Sequence, residues 1–169
     1  TFEIVSKNTD ETMDANLSPY QNVMNVARKK GEAVASLYPN DVVLSTDTIV
    51  CLDGKIYGKP KDRKDAYNTL ATFSGMTHEV VSGVSIISKK LNMTMYVKSY
   101  VTFKKLTKEM IDDYLKTDEP YDKAGSYAIQ GEGRSLIEGY SGSLDNIIGL
   151  PIEYIKDMLR VMLNEVENR

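Results

Sequence analysis

Hydrophobic positions along the chain switch between two spacings, and the switches mark its elements. Phe2 to Ser6 reads as a short strand. Ser18-Pro19-Tyr20-Gln21 then opens a helix, with Ser18 as N-cap, Pro19 in the first turn and Gln21 reaching back to complete a capping box. Val23, Val26, Ala27, Val34 and Leu37 recur at helical spacing and carry that helix to about Leu37. Val42 to Leu44 and Ile49 to Leu52 are two short apolar runs. Asp53-Gly54, a strong hairpin signal, follows them and precedes Ile56-Tyr57. Asp62 caps a helix bearing Ala66, Tyr67, Leu70 and Phe73, which Gly75 closes.

Val80 to Ile87 and Met93 to Phe103 read as two long strands joined through Lys89 to Asn92. Thr107 caps a short helix carrying Met110, Ile111, Tyr114 and Leu115. From Glu119 to Gly149 the chain is glycine-rich and irregular, with one strand at Leu136-Ile137. Ile152, Ile155, Leu159, Met162 and Val166 mark a closing amphipathic helix. Interleaved strands and helices with one long antiparallel pair predict an α/β domain, a mixed twisted sheet with flanking helices. No repeat, low-complexity tract or Pro/Gly linker divides the chain, so one domain over residues 1–169 is expected.

Composition narrows the class. At 169 residues and 41% hydrophobic, the chain can build one core without disulfide or metal staples. Its formal net charge of −3, from 21 basic and 24 acidic residues, disfavours a binder of long nucleic acid or of an acidic membrane. One cysteine, Cys51, rules out an internal disulfide and suggests a reducing, cytoplasmic setting. No apolar run approaches the roughly 18 residues of a membrane helix, and no signal peptide is expected.

Three stretches can carry chemistry. Ser45-Thr46-Asp47-Thr48 places a carboxylate among hydroxyls between apolar runs. A buried charge there needs partners, although a loop aspartate accepting backbone hydrogen bonds explains it equally well. Gly58-Lys59-Pro60 holds a lysine on a stiff support, able to meet a phosphate or simply solvated in a turn; no Walker A pattern occurs. Asp122 to Gly133 has three glycines around Gln130, whose amide offers one donor and one acceptor side to a base edge if the loop is more than a flexible link. His78 and Cys51 lack the neighbours of a nucleophilic mechanism, and one Cys with one His excludes a structural zinc.

Taken together the stretches resemble the Maf family of nucleoside triphosphate pyrophosphatases. Thr46-Asp47-Thr48, Asp53 to Pro60, Phe73 to Val80, Ala124-Gly125-Ser126-Tyr127 with Ile129-Gln130-Gly131, and Asn146 to Pro151 follow in register over roughly Val42 to Ile155. Ala27-Arg28-Lys29-Lys30 is similar to the family's helical Ala-x-x-Lys, with Gly31 where alanine is usual. The family's Ser-x-Ser-Pro-Arg-Arg loop has no counterpart. An N-terminal piece lying outside the sequence is expected, the other reading being an impaired copy.

The resemblance implies a Maf/inosine triphosphate pyrophosphatase-like fold. It also implies hydrolysis of a nucleoside triphosphate between the α and β phosphates, with Asp47 as general base and a divalent metal, Mg²⁺ or Mn²⁺, near Asp47 and Glu11. Lys30 and Lys59 would neutralise phosphate. Gln130 with Thr48 resembles the dTTP/UTP branch, where the 7-methyl-GTP branch carries glutamate; CTP stays open. Homodimers are common in the family. An inosine triphosphate pyrophosphatase and a nucleotide-binding division regulator without catalysis are the competing readings.

Overall fold

The computed structural model describes residues 2–167. In chain order the elements are α1 (Pro19–Ala35), β1 (Val43–Leu52), β2 (Lys55–Tyr57), α2 (Arg63–Phe73), β3 (Thr77–Ile87), β4 (Asn92–Phe103) and α3 (Lys108–Tyr114). Three short 3₁₀ turns follow at Glu119–Asp122, Ala124–Ser126 and Glu132–Leu136, then β5 (Ile137–Ser141), α4 (Leu144–Ile148) and α5 (Ile152–Glu167). The strands form one sheet in the order β2-β1-β3-β4-β5. The α/β class with flanking helices stands. Every strand pair among the described residues is antiparallel, so the parallel component of the expected mixed sheet is not found there.

The local signals account for most boundaries. Ser18 accepts from the Gln21 N–H, and the Gln21 side chain accepts from the Ser18 N–H, so the capping box fixes where α1 starts. Asp53 and Gly54 both take positive φ, 50° and 78°, which joins β1 to β2 by a two-residue turn matching their twist. The two apolar runs around Ser45 to Thr48 fuse into one strand. The polar tetrad does not interrupt it because each of its four residues pairs with β3, from Ser45 opposite Ser85 to Thr48 opposite Ser82. Leu136 closes a 3₁₀ turn, so the strand expected at Leu136-Ile137 begins at Ile137.

The strand expected at Phe2 to Ser6 does not form. Phe2 and Ile4 are 88% and 87% exposed, and no described strand edge pairs with them. The segment follows α1 instead, with Lys7 donating to the Ala33 carbonyl at 3.2 Å and Asp10 lying 3.9 Å from Lys29. Without a partnering edge, apolar side chains alone do not make a strand.

Helix α1 packs on one face of the sheet, where Val23 meets Ile49 and Val81. The other face carries the larger core, built on Val50, Leu70, Phe73, Val80, Val101 and Phe103, and a second cluster of Val84 and Ile86 against Ile155, Met158 and Met162 of α5. Gly83 decides how close α1 can come, since a Cβ there would lie 2.7 Å from the Val23 carbonyl carbon and 3.0 Å from the Met24 nitrogen. Tyr20 fastens the same helix, donating to Glu79 at 2.7 Å and stacking on Tyr96. In the larger core His78 stacks on Phe73 and shares a 2.8 Å hydrogen bond with the Tyr127 hydroxyl. Burial pushes His78 down from 6.5 to about 4. No helix among the described residues is long and apolar enough to cross a membrane.

Gly83→Ala should cost about 2 kcal/mol or more, because the atoms it meets are backbone and cannot rotate away. A melting temperature lowered by less than a degree would show that α1 moves freely. His78 makes stability pH-dependent with a fixed sign. The unfolded chain takes a proton that the folded chain refuses until about pH 4, so stability is full above pH 6.5 and lost as pH falls through that window. Between about pH 7.5 and about pH 5 the wild type should lose about 2 kcal/mol, measured by urea unfolding, that His78→Phe does not lose. Equal losses in both proteins would clear His78 of that role.

Candidate active site

The six side chains expected at the site fall into two groups of three, divided by β1. Alternate residues of a strand point to opposite faces. Ser45, Asp47 and Ile49 meet α1, through Ala27, Lys30 and Val23 respectively. Thr46, Thr48 and Val50 face the layer that holds α2 and α4.

On the α1 side, Lys30 lies on the stripe that also carries Val23, Val26 and Ala27, so the packing that buries those residues brings its ammonium to the sheet. Lys30 Nζ donates to Asp47 Oδ1 at 2.8 Å and lies 3.0 Å from Glu11 Oε1. Gly31 permits the approach, since a Cβ there would stand 2.6 Å from Ser45 Oγ and 3.0 Å from Ile87 Cδ1. Asp47 is only 12% exposed. Burial raises its pKa above the ordinary carboxylate value against the opposing pull of Lys30, and the Glu11 charge adds to the rise. Burial works against the Lys30 ammonium too, but hydrogen bonds to Asp47 and Glu11 outweigh it and hold the lysine above its usual value.

On the other side, Thr48, Lys59 and Gln130 line a single cleft of about 290 Å³. Its apolar part comes from Val50, Val80, Ile129 and Ile147. The Thr48 hydroxyl is held 2.8 Å from Ser82 Oγ. Lys59 leaves the hairpin on a strap anchored by the Gly125 N–H to the Gly58 carbonyl at 3.1 Å, and its ammonium meets Asp122 at 2.6 Å. Gln130 is exposed at the cleft, on the turn that follows Tyr127. An apolar slot with cations at its mouth suits a flat base joined to an anionic tail.

The structure also brings in residues that were not singled out. Lys123 lines the cleft and lies 3.8 Å from Asp122, adding a second cation beside Lys59. Its place in the glycine-rich stretch was the available signal. Ser82 is a polar position within an apolar strand run, which is weak as a pointer because Ser85 and Ser99 share that pattern and are also buried. No group of three or more His, Cys, Asp or Glu that could hold a metal ion occurs among the described residues.

The model of the Maf-like protein family matches residues 1–162. The chain belongs to that family. Among relatives of this Maf-like chain, a dTTP/UTP pyrophosphatase of Bacillus cytotoxicus is 46% identical over 151 residues, 89% of this chain and 79% of that protein. A dTTP/UTP pyrophosphatase of Bacillus mycoides is 47% identical over the same shares. One of Bacillus pumilus is 43% identical over 152 residues, 90% of this chain and 80% of its own.

The Asp47–Lys30 coupling can be measured without turnover. Lys30→Gln removes the cation that opposes the effect of burial, so the Asp47 carboxyl should titrate at higher pH than in the wild type, followed by carbon NMR of the side chain. An unmoved titration would uncouple the two residues.

Proposed function

We propose that this Maf-like chain is a nucleoside triphosphate pyrophosphatase that hydrolyses dTTP and UTP to the monophosphate and pyrophosphate. The observation that carries the reading is the convergence of Thr48, Lys59 and Gln130, from three separate segments, on one cleft. Relatives bearing the name dTTP/UTP pyrophosphatase support it.

In this reading the base lies in the apolar slot. Uracil and thymine present an N3–H beside carbonyl oxygens, which the oxygen and nitrogen of the Gln130 amide match. Lys59 and Lys123 take the charge of the phosphate tail. The tail passes along the edge of β1, which β2 covers only at Val50, Cys51 and Leu52, towards Asp47. There Asp47 takes a proton from water as the water oxygen bonds to the α phosphorus. The bond from that phosphorus to the bridging oxygen breaks, and pyrophosphate leaves with the electron pair. A carboxylate raised by burial is a stronger base than an exposed one, which suits it to the task at neutral pH.

The residues present fit a divalent ion. Glu11 and Asp47 both reach one point, the Lys30 ammonium, so two hard oxygen donors converge. Mg²⁺ or Mn²⁺ commonly binds through one or two carboxylates together with substrate phosphates. Glu11 and Asp47 would hold it, and when bound it would supply positive charge to the phosphoryl oxygens. Lys30 then either shares or cedes that position.

The test is Mg²⁺-dependent pyrophosphate release from dTTP, UTP, CTP, ITP and 7-methyl-GTP. Asp47→Asn should lower release by at least about a hundredfold on every substrate; retention of most activity removes Asp47 as base. Gln130→Glu should depress dTTP and UTP relative to 7-methyl-GTP by about tenfold or more, since it replaces a matched donor with a second acceptor. An unchanged ratio would end the base-reading role of Gln130.

A further inference from the structure

Gln130 stands on a turn whose own residues are poorly suited to holding it still. Ile129 and Gln130 form the bend, and Gly131 and Gly133 follow within three residues. The restraint comes from Glu119, at the start of the first 3₁₀ turn. Its Oε2 accepts from the Glu132 N–H at 2.9 Å and its Oε1 from the Gly133 N–H at 2.8 Å. Oε1 also accepts from the Tyr114 hydroxyl at 2.8 Å. One carboxylate therefore ties the far side of the Gln130 turn to helix α3. The two N–H groups it receives have no helix or sheet to satisfy them, so the carboxylate supplies what secondary structure supplies elsewhere.

The glycines are fitted to this carboxylate. Gly131 takes φ −108° and ψ −149°. A Cβ at Gly131 would overlap the Glu119 carboxylate, so the missing side chain is what admits the clamp. A Cβ at Gly133 would stand 2.7 Å from the Ala128 carbonyl oxygen and 2.9 Å from the Tyr114 hydroxyl. On the near side, Tyr127 is held by His78. The segment lining the cleft, Ala128 to Gln130, is thus fixed at both ends. Burial alone would raise the Glu119 pKa, yet the hydrogen bonds from Gly133, Tyr114 and Glu132 hold it below the usual value, so the clamp stays charged.

We infer that Glu119 is a positioning residue for Gln130, setting the orientation in which the amide meets the base and so the preference among nucleotides. The inference rests on the reading of the cleft as a pyrimidine nucleotide site. A clamp that acts through Gln130 affects base recognition and leaves the water, Asp47 and the phosphates untouched. Its removal should therefore appear in KM and in selectivity, with kcat preserved.

The experiment compares wild type, Glu119→Gln, Gly131→Ala and Tyr114→Phe on UTP, dTTP, CTP and ITP. Glu119→Gln keeps the size of the side chain but sets an amide N–H₂ against one of the backbone N–H groups. It should raise KM for UTP and dTTP about tenfold, hold kcat within about twofold and shrink the UTP-to-ITP ratio of kcat/KM about tenfold. Gly131→Ala displaces the carboxylate from the opposite side and should have the same effect. The double variant should be no worse than the worse single one, because both break one contact. Tyr114→Phe removes a single hydrogen bond and should shift the ratio in the same direction by a smaller factor, with the other two variants serving as controls if either folds poorly.

A ratio is independent of the active fraction, so partial unfolding does not mimic the effect. An equal fall on every nucleotide, or a ratio preserved in the folded variants, overturns the role of Glu119. A wild-type chain that releases pyrophosphate from no triphosphate overturns the underlying reading and the inference with it.

Discussion

The register between β1 and β3 is the constraint on which the rest of the molecule depends. It sets Asp47 opposite Gly83 and Thr48 opposite Ser82. The first pairing removes a side chain where α1 must descend, so Lys30 can reach the carboxylate; the second gives the Thr48 hydroxyl a partner on the cleft side. A slip of one residue would exchange the faces, placing Thr48 under α1 and the charge in the larger core. Buried valines and isoleucines on both faces penalise such a slip heavily, so hydrophobic burial far from the chemistry secures the placement of the polar groups.

Electrostatics then separates the roles of the two faces. Asp47 is removed from water and partnered by one ammonium that it shares with Glu11, a balance in which burial prevails. Lys59 lies in the open, with Asp122 and Lys123 around it. On the proposed reading, a group that moves a proton and a group that attracts a polyanion need those opposite settings. The pleat of β1 keeps them apart, turning Asp47 to α1 and its neighbour Thr48 to the cleft that Lys59 lines.

Much of this was legible in the residues. Ser18 and Gln21, Asp53-Gly54, Asp62 and Gly75, and Thr107 are local devices that work through near neighbours, and they set helix starts and the hairpin turn where the pattern places them. Phe2 to Ser6 misled because strand formation depends on a pairing edge that lies outside the segment. The tetrad at Asp47 was ambiguous for a related reason: whether polar residues continue a strand depends on what lies across the ladder. Glu119 was invisible. Its backbone partners lie 13 and 14 residues away on a turn with no periodicity, and nothing in Glu-Pro-Tyr-Asp distinguishes a clamp from a solvated charge. That Asp47 and Thr48 face opposite ways follows from counting alternate positions along β1, once the strand is known to be continuous.

The Lys59–Asp122 contact has a consequence for what the cleft will hold. Both partners are well exposed, so the pair is weakly held and opens readily. On the proposed reading, an incoming anion trades places with the Asp122 carboxylate, and a chain of phosphates gains more from that exchange than a single charge because Lys123 stands beside it. The same carboxylate would then re-cover the ammonium once a less charged product has left.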